Sequence, residues 1–314
     1  TALGVLSLAG RNKLTFFLSQ KISSFGDWVE QLIAESTGKE GKGILPVVAE
    51  APGGVDMYGH DRVFVSMCLR GEEPPVPDLG RIRDAGHPVI HIFLEDIYDI
   101  GAQFFLWEFA TAIAGQVLSI NPFDQPDVEA TKKYTRAAVD TYLSTGRLAT
   151  DNPLLEEQGI AVYGTMKSQT LRDALITFLF QAREDSYVSL QAYLPSDPAV
   201  RSALDELRTL VRDRYRVATT LGFGPRFLHS TGQLHKGDDG KGLFIQVTCD
   251  DARDLPIPDE AGHERSTMSF GILKAAQAIG DGKALIAARR NVMRLHIADH
   301  DIAGAIARIT RALT

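Results

Sequence analysis

Short apolar, β-branched runs alternate with longer stretches of helical spacing along almost the whole chain, and this alternation limits the fold more than any other feature. Strands are expected at 13–19, 44–48, 63–69 and 89–94, and again at 186–194, 217–221, 243–248 and 292–297. Between them, residues 24–35 place Phe25, Trp28, Val29, Leu32 and Ile33 at helical intervals, with Gly38 as the stop. Helices are likewise expected at 100–118, from about Pro126 through Glu129 and Lys132 to about 144, at 198–215, at 267–279 and from Ile302 onward. Strands alternating with helices predict an α/β protein of three-layer α/β/α units with parallel or mixed sheets.

The 100–118 helix is apolar on nearly every side, with Phe104, Phe105, Trp107 and Phe109, which predicts burial on several faces, within a domain or against another subunit. Residues 145–164 read as a loop, so the boundary falls there: 1–149 and 150–314. An internal echo supports two related halves. Residues 63–69 followed by 104–115 match 243–248 followed by 270–280. Both helices close on glycine, in Ala112-Ile113-Ala114-Gly115 and Ala278-Ile279-Gly280. Any two strand-then-helix units share this much, so duplication and coincidence both remain open.

At 314 residues the chain can bury one large or two medium cores. A net charge of −7 without a basic run argues against nucleic acid as the main partner. Cys68 and Cys249 sit in strand-like runs as reduced core thiols, in keeping with a cytoplasmic protein. No run reaches the length of a membrane span, and residues 1–9 make a poor signal peptide. No zinc-type spacing and no Gly-x-Gly-x-x-Gly after a strand is present, so no metal or redox cofactor is expected.

Three segments carry candidate chemistry. In Asn121-Pro122-Phe123-Asp124-Gln125-Pro126-Asp127-Val128-Glu129, an apolar helix enters a turn and a new helix opens toward Lys132. Asp or Gln side chains can cap the new helix, and Pro126 suits its first turn. The turn then aims Lys132 from a rigid start, or simply leaves a surface lysine on a well-capped helix. In Glu35-Ser36-Thr37-Gly38-Lys39-Glu40-Gly41-Lys42-Gly43, a carboxylate ends an amphipathic helix just before a glycine-containing turn. The glycine-rich stretch 222–242 holds Arg226, His235, Lys236 and Lys241, a combination that suits a phosphate or, equally, a solvated flexible loop.

The first segment resembles the Asn-x-Phe-Asp-Gln signature of phosphoglucose isomerases, departing from it at Asp127, where that family has glycine. The second is similar to the family's Glu-Ser-x-Gly-Lys segment. Leu228-His229-Ser230-Thr231-Gly232-Gln233 resembles the Leu-His-Ser-x-Gly-Gln segment of the bacterial branch, though it lies far downstream of its usual place. The resemblance implies interconversion of glucose 6-phosphate and fructose 6-phosphate through a cis-enediol. It makes Glu35 the base that moves the proton between C1 and C2, and Lys132 the group acting at the ring oxygen or on developing charge. It makes His229 the ring-opening histidine, with His60 and His235 as fallbacks. Gln125, Gln233, Lys236 and Arg226 are the expected substrate-binding residues, and the remaining histidines are structural or superficial.

The family's Ser/Thr-rich phosphate loop and Gly-Gly-Arg segment do not occur here. The chain therefore looks like the second sugar-isomerase domain plus a C-terminal extension, most similar to the isomerase part of transaldolase/phosphoglucose isomerase fusions. By that resemblance its partners are a sugar phosphate and the N-terminal isomerase and transaldolase regions of a longer protein, with a homo-oligomer left open. The rival reading is a non-catalytic sugar-phosphate-binding or assembly module of the same fold.

Overall fold

A computed structural model describes residues 1–314 except Pro77 and Thr150. The 149/150 boundary thus touches a residue outside the described ones. The first half contains α1 (Ala2–Leu8), β1 (Lys13–Leu18), α2 (Phe25–Thr37), β2 (Leu45–Val47), β3 (Arg62–Leu69), α3 (Leu79–Asp84), β4 (Val89–Leu94), α4 (Ile100–Leu118) and α5 (Val128–Thr145). The second contains β5 (Leu155–Glu157), β6 (Ile160–Tyr163), α6 (Leu171–Leu179), β7 (Tyr187–Tyr193), α7 (Pro198–Tyr215), β8 (Ala218–Phe223), α8 (Ser230–Gly237) and β9 (Gly242–Cys249). It continues with β10 (Pro256–Ile257), β11 (Met268–Ser269), α9 (Phe270–Ala287), β12 (Asn291–Ile297) and α10 (Ile302–Leu313). The strands are sandwiched by helices, and the chain is a mixed α/β protein with parallel and mixed sheets.

The first sheet runs β2-β1-β3-β4, all parallel. The second runs β5-β6-β12-β9-β7-β8, and its antiparallel pairing is confined to the β5-β6 hairpin and the junction of β6 with β12. Without that hairpin its order is β8-β7-β9-β12, which repeats the first sheet with β7 for β1, β8 for β2, β9 for β3 and β12 for β4. Both sheets are buried on two faces: every residue of β3, β7 and β9 is buried. This is the reason their sequences read as continuous apolar runs.

Four sequence expectations change. Residues 145–164 are not all loop, because Leu155–Glu157 pairs with Ile160–Tyr163, which in turn pairs with β12. These strands are too short to stand out from their Gly- and Pro-rich flanks. Gly115 and Gly280 do not end their helices. They lie inside α4 and α9, where they let other segments approach: a Cβ on Gly280 would stand 2.2 Å from Thr135 Oγ1 of α5, and one on Gly115 would stand 3.0 Å from the Pro122 ring. The echo also pairs the wrong helices. By strand order β3 matches β9, yet α4 follows β4 while α9 precedes β12. Finally, α4 buries a single stripe, Gln103, Trp107, Thr111, Ala114 and Leu118, within this chain. Phe105 and Phe109 on its other side are 71% and 59% exposed.

The two sheets meet across a seam. Leu45 and Val47 of β2 share one apolar cluster with Tyr187, Ala218, Phe244 and Leu234 of the second half. Beside it Glu50, fully enclosed, meets both terminal nitrogens of Arg62 at 3.1 Å and accepts from the Thr219 N–H and hydroxyl at 3.1 and 2.8 Å. Burial alone would push the Glu50 carboxyl up, but Arg62 and Arg208 together hold it below its ordinary value. Arg208, on α7, donates to the carbonyls of Val48, Ala49 and Thr219, and Arg212 donates to that of Ala51.

Candidate functional site

Glu35 lies half-buried on the last turn of α2, which ends at Gly38. The following segment turns back on itself: the N–H of Lys39 donates to the Lys42 carbonyl at 3.1 Å, and the reverse bond is 3.0 Å. Glu40 and Gly41 between them have φ of 55° and 71°, the left-handed pair that such a two-residue turn requires. Both flanking lysines then reach the next motif. The buried Lys39 ammonium donates to the Asn121 carbonyl at 2.9 Å and to both the carbonyl and the carboxylate of Asp124. Lys42 donates to the Leu118 carbonyl, at the end of α4, at 2.7 Å. The Glu-Ser-Thr-Gly-Lys segment is thereby tied to the Asn-Pro-Phe-Asp-Gln turn across a long stretch of chain.

The new helix after that turn begins at Val128, so Pro126 precedes it rather than occupying its first turn. Asp127 takes the N-cap position but its carboxylate does not cap. It is turned instead to Gln233 on α8. The Gln233 amide donates to Asp127 Oδ2 at 2.6 Å and to the Gly38 carbonyl at 2.8 Å, and its oxygen accepts from the Asp127 N–H at 2.9 Å. Packing is tight here: a Cβ on Gly38 would stand 2.2 Å from Leu234 Cα, and one on Gly237 would stand 2.4 Å from the Gly38 carbonyl oxygen. One buried side chain therefore joins three backbone segments. It lies four residues past His229, and its partners lie three past Glu35 and five before Lys132.

The individual side chains fall into two groups. Lys132 is 37% exposed, and its ammonium bonds Glu129 one turn back at 2.7 Å. His229 is exposed at the N-cap of α8, and Gln125 is exposed in the turn. The rest are committed to the protein. Gln233 has both amide hydrogens engaged. Lys236 is buried, with its three donors directed to the Phe227 and Gly232 carbonyls at 3.3 Å and to Asp281 at 2.7 Å. Burial pushes the Asp281 carboxyl above its ordinary range against the pull of Lys236, and Gln246 also donates to it. Arg226 is bound to Asp27 and Glu30, one turn apart on α2. Lys241 lies between Asp185 and Asp239.

The expectation of a glycine-rich phosphate loop at 222–242 is corrected accordingly. Residues Ser230–Gly237 form a helix with every residue buried, and its cations already have partners. The glycines serve contact rather than looseness: a Cβ on Gly232 would fall 1.8 Å from the Phe227 carbonyl oxygen. Gln233 and Lys236 hold the fold and present no donor to a substrate. His235 is enclosed by Tyr187, Phe227 and Phe244, with Nδ1 3.2 Å from the Gln191 amide nitrogen. Burial, then Lys236 and Arg290, keep its imidazole well below the ordinary range, so it is neutral and shut away. His60 lies on the opposite kind of site, exposed beside Glu184 at 3.1 Å.

Two sizeable cavities open elsewhere. One, of about 360 Å³, lies at the seam against Phe16, Glu50, Asp205 and Arg208. The other, of about 510 Å³, lies against β9, β12 and α9. Neither is lined by Glu35, Lys132 or His229. Among the described residues, no group of three or more His, Cys, Asp or Glu could hold a metal ion, and no helix is long and apolar enough to cross a membrane.

The chain is similar to curated glucose-6-phosphate isomerases. It is 30% identical to that of Streptococcus agalactiae, over 35% of this chain and 33% of the relative. It is 28% identical to that of Enterococcus faecalis, over 35% and 33%, and 26% identical to that of Leptospira biflexa, over 40% and 36%. The chain thus spans about a third of the length of these relatives. No family model matches it. A hypothetical protein of Thermus thermophilus superposes over 99% of this chain and 79% of its own, at 13% identity and a TM-score of 0.39, too low to establish a common topology.

Sequence reading missed Lys39 and Asp127 as linking residues. Lys39 lies within the Glu-Ser-Thr-Gly-Lys segment, but its target is 85 residues away. Asp127 was visible only as a departure from the family's glycine, with nothing in the linear pattern pointing to Gln233.

Proposed function

We propose that this chain is the sugar-isomerase part of a longer, transaldolase-fused enzyme and interconverts glucose 6-phosphate and fructose 6-phosphate through a cis-enediol. In this reading residues 1–149 are the second isomerase domain and residues 150–314 an extension that supplies the histidine segment. His229 assists ring opening, Lys132 acts at the ring oxygen or on the developing enediolate charge, and Glu35 moves the proton between C1 and C2. The observation that carries this reading is the Gln233 clasp, which gathers the three motif segments into one place although each lies about a hundred residues from the next. The exposed His229 and the half-buried Lys132 and Glu35 leave the reacting groups accessible, while the buried Gln233, Lys39 and Lys236 fix the backbone beneath them. The similarity to glucose-6-phosphate isomerases of three bacteria supports the substrate class.

The test is Glu35→Gln in the full-length polypeptide. Loss of a positioned base lowers kcat by roughly 10²–10⁴-fold. The denaturation midpoint and any transaldolase activity should stay where they are. A variant with undiminished kcat removes Glu35 from the reaction. The second reading, a sugar-phosphate-binding or assembly module, draws on the two cavities, neither of which contains the three motif residues. Glucose 6-phosphate binding by a full-length protein with no isomerase activity would select it.

A further inference from the structure

The 510 Å³ cavity of the second half sits at the carboxyl ends of parallel strands, the edge at which α/β sheets bind ligands. Tyr193 is the last residue of β7, Thr248 and Cys249 close β9, and β12 adds Arg294 and His296. Strand alternation explains this set. Met293, Leu295 and Ile297 point into the main core, so Arg294 and His296 must face the other side of the sheet.

Register then fixes their neighbours. Arg294 pairs with Tyr163 on the antiparallel β6, and its guanidinium lies over that ring, 3.9 Å from the centroid. His296 pairs with Thr248 on β9, with Nδ1 3.0 Å from the threonine hydroxyl and Nε2 3.3 Å from Asp250. Lys274 is held by Asp251, and Asp254 is occupied at the start of α9, accepting from Ser269 and the Gly271 N–H.

Two groups lining the cavity are left over. Among the described residues Arg294 has its aromatic stack but no hydrogen bond or ion pair; the Asp151 carboxylate is near enough to act on it but does not bond it, so its donors are unused where it lines the cavity. Tyr193 is 1% exposed and its hydroxyl has no hydrogen-bond partner. A buried hydroxyl left this way is unfavourable, a state uncommon in cores that serve packing alone.

We infer that this cavity is a second ligand site, for a small oxyanion carrying a hydroxylated body. Arg294 takes the phosphate or carboxylate in its planar fork, and the Tyr193 hydroxyl together with the Asp250 and Asp251 carboxylates takes the hydroxyls. The site does not depend on the isomerase reading, since Glu35, Lys132 and His229 lie outside it.

The experiment is calorimetric titration of the 314-residue chain with sorbitol 6-phosphate, with gluconate, and with sorbitol as the uncharged control. Saturable binding of either anion with no sorbitol binding is expected, and the pair of anions tells a phosphate from a carboxylate head group. Arg294→Met keeps an unbranched apolar side chain at this position while removing the charged fork, and should weaken binding by roughly tenfold or more, as loss of a charge-assisted bond does. Tyr193→Phe should weaken it by roughly three- to tenfold while the denaturation midpoint holds or rises, because no protein bond is lost. Failure of both anions to bind, or identical affinity in wild type and Arg294→Met, overturns the proposal.

Discussion

Gln233 and Asp127 are joined by two hydrogen bonds, one to the Asp127 backbone N–H and one to its carboxylate, and they lie 106 residues apart. Asp127 presents a carboxylate that accepts the amide of a buried glutamine. Gln233→Ala would leave the Gly38 carbonyl and the Asp127 carboxylate without their donor. With each buried unsatisfied group unfavourable by about 1–3 kcal/mol, the variant should lose roughly 2–4 kcal/mol of stability. Denaturant midpoints measure that loss, and an isomerase assay on the folded variant should show activity falling as the segments of Glu35 and Lys132 separate. An unchanged midpoint would dismiss the clasp.

The Lys236–Asp281 pair makes a different prediction. Both groups are buried and bonded at 2.7 Å. Asp281→Asn leaves an ammonium without its counter-charge and should cost about 3–5 kcal/mol, whereas replacing both partners with Lys236→Met and Asp281→Leu should recover much of that loss. Urea unfolding of the single and double variants distinguishes a pair that matters for stability from one that only fixes the seating of α8 on α9.

Glu30 predicts a pH dependence. It is 12% exposed beside Arg226, and burial outweighs that partner and pushes its carboxyl up to about 7. A carboxyl raised in the folded state binds its proton more tightly there than in the unfolded chain. Its contribution to stability is thus present at low pH and is lost as pH rises from about 4.5 to about 7. Relative to Glu30→Gln, the wild-type midpoint should decline across that window and run parallel above it. A constant difference across the same window would contradict the raised value.

The strands and long helices were legible because burial on both sheet faces writes itself as apolar runs, and α2 and α7 carry one-sided helical stripes. The α8 helix was not. Its sequence, Ser-Thr-Gly-Gln-Leu-His-Lys-Gly, is polar and glycine-bearing, and its burial rests on ion pairs and hydrogen bonds from distant residues rather than on side-chain hydrophobicity. Glu35, Lys132 and His229 are named by motif likeness alone; what the structure adds is that Gln233 joins the segments that carry them. The cations near His229 looked available only because Asp27, Glu30 and Asp281, which occupy them, lie far away in sequence. The Arg294–Tyr163 stack was hidden for a related reason: it depends on the register of a hairpin that reads as loop.

Parting the two sheets along the β2–β8 edge would take Thr219 from Glu50 and leave Arg208 and Arg212 without the carbonyls of residues 48, 49 and 51. Charges would be bared before solvent could reach them, and that barrier sets in at the first ångström of movement. A rocking motion of one half against the other is therefore opposed by these bonds. Expressed separately, the first half would keep its Glu50–Arg62 pair, whereas Arg208 and Arg212 of the second would lose the carbonyls of residues 48, 49 and 51.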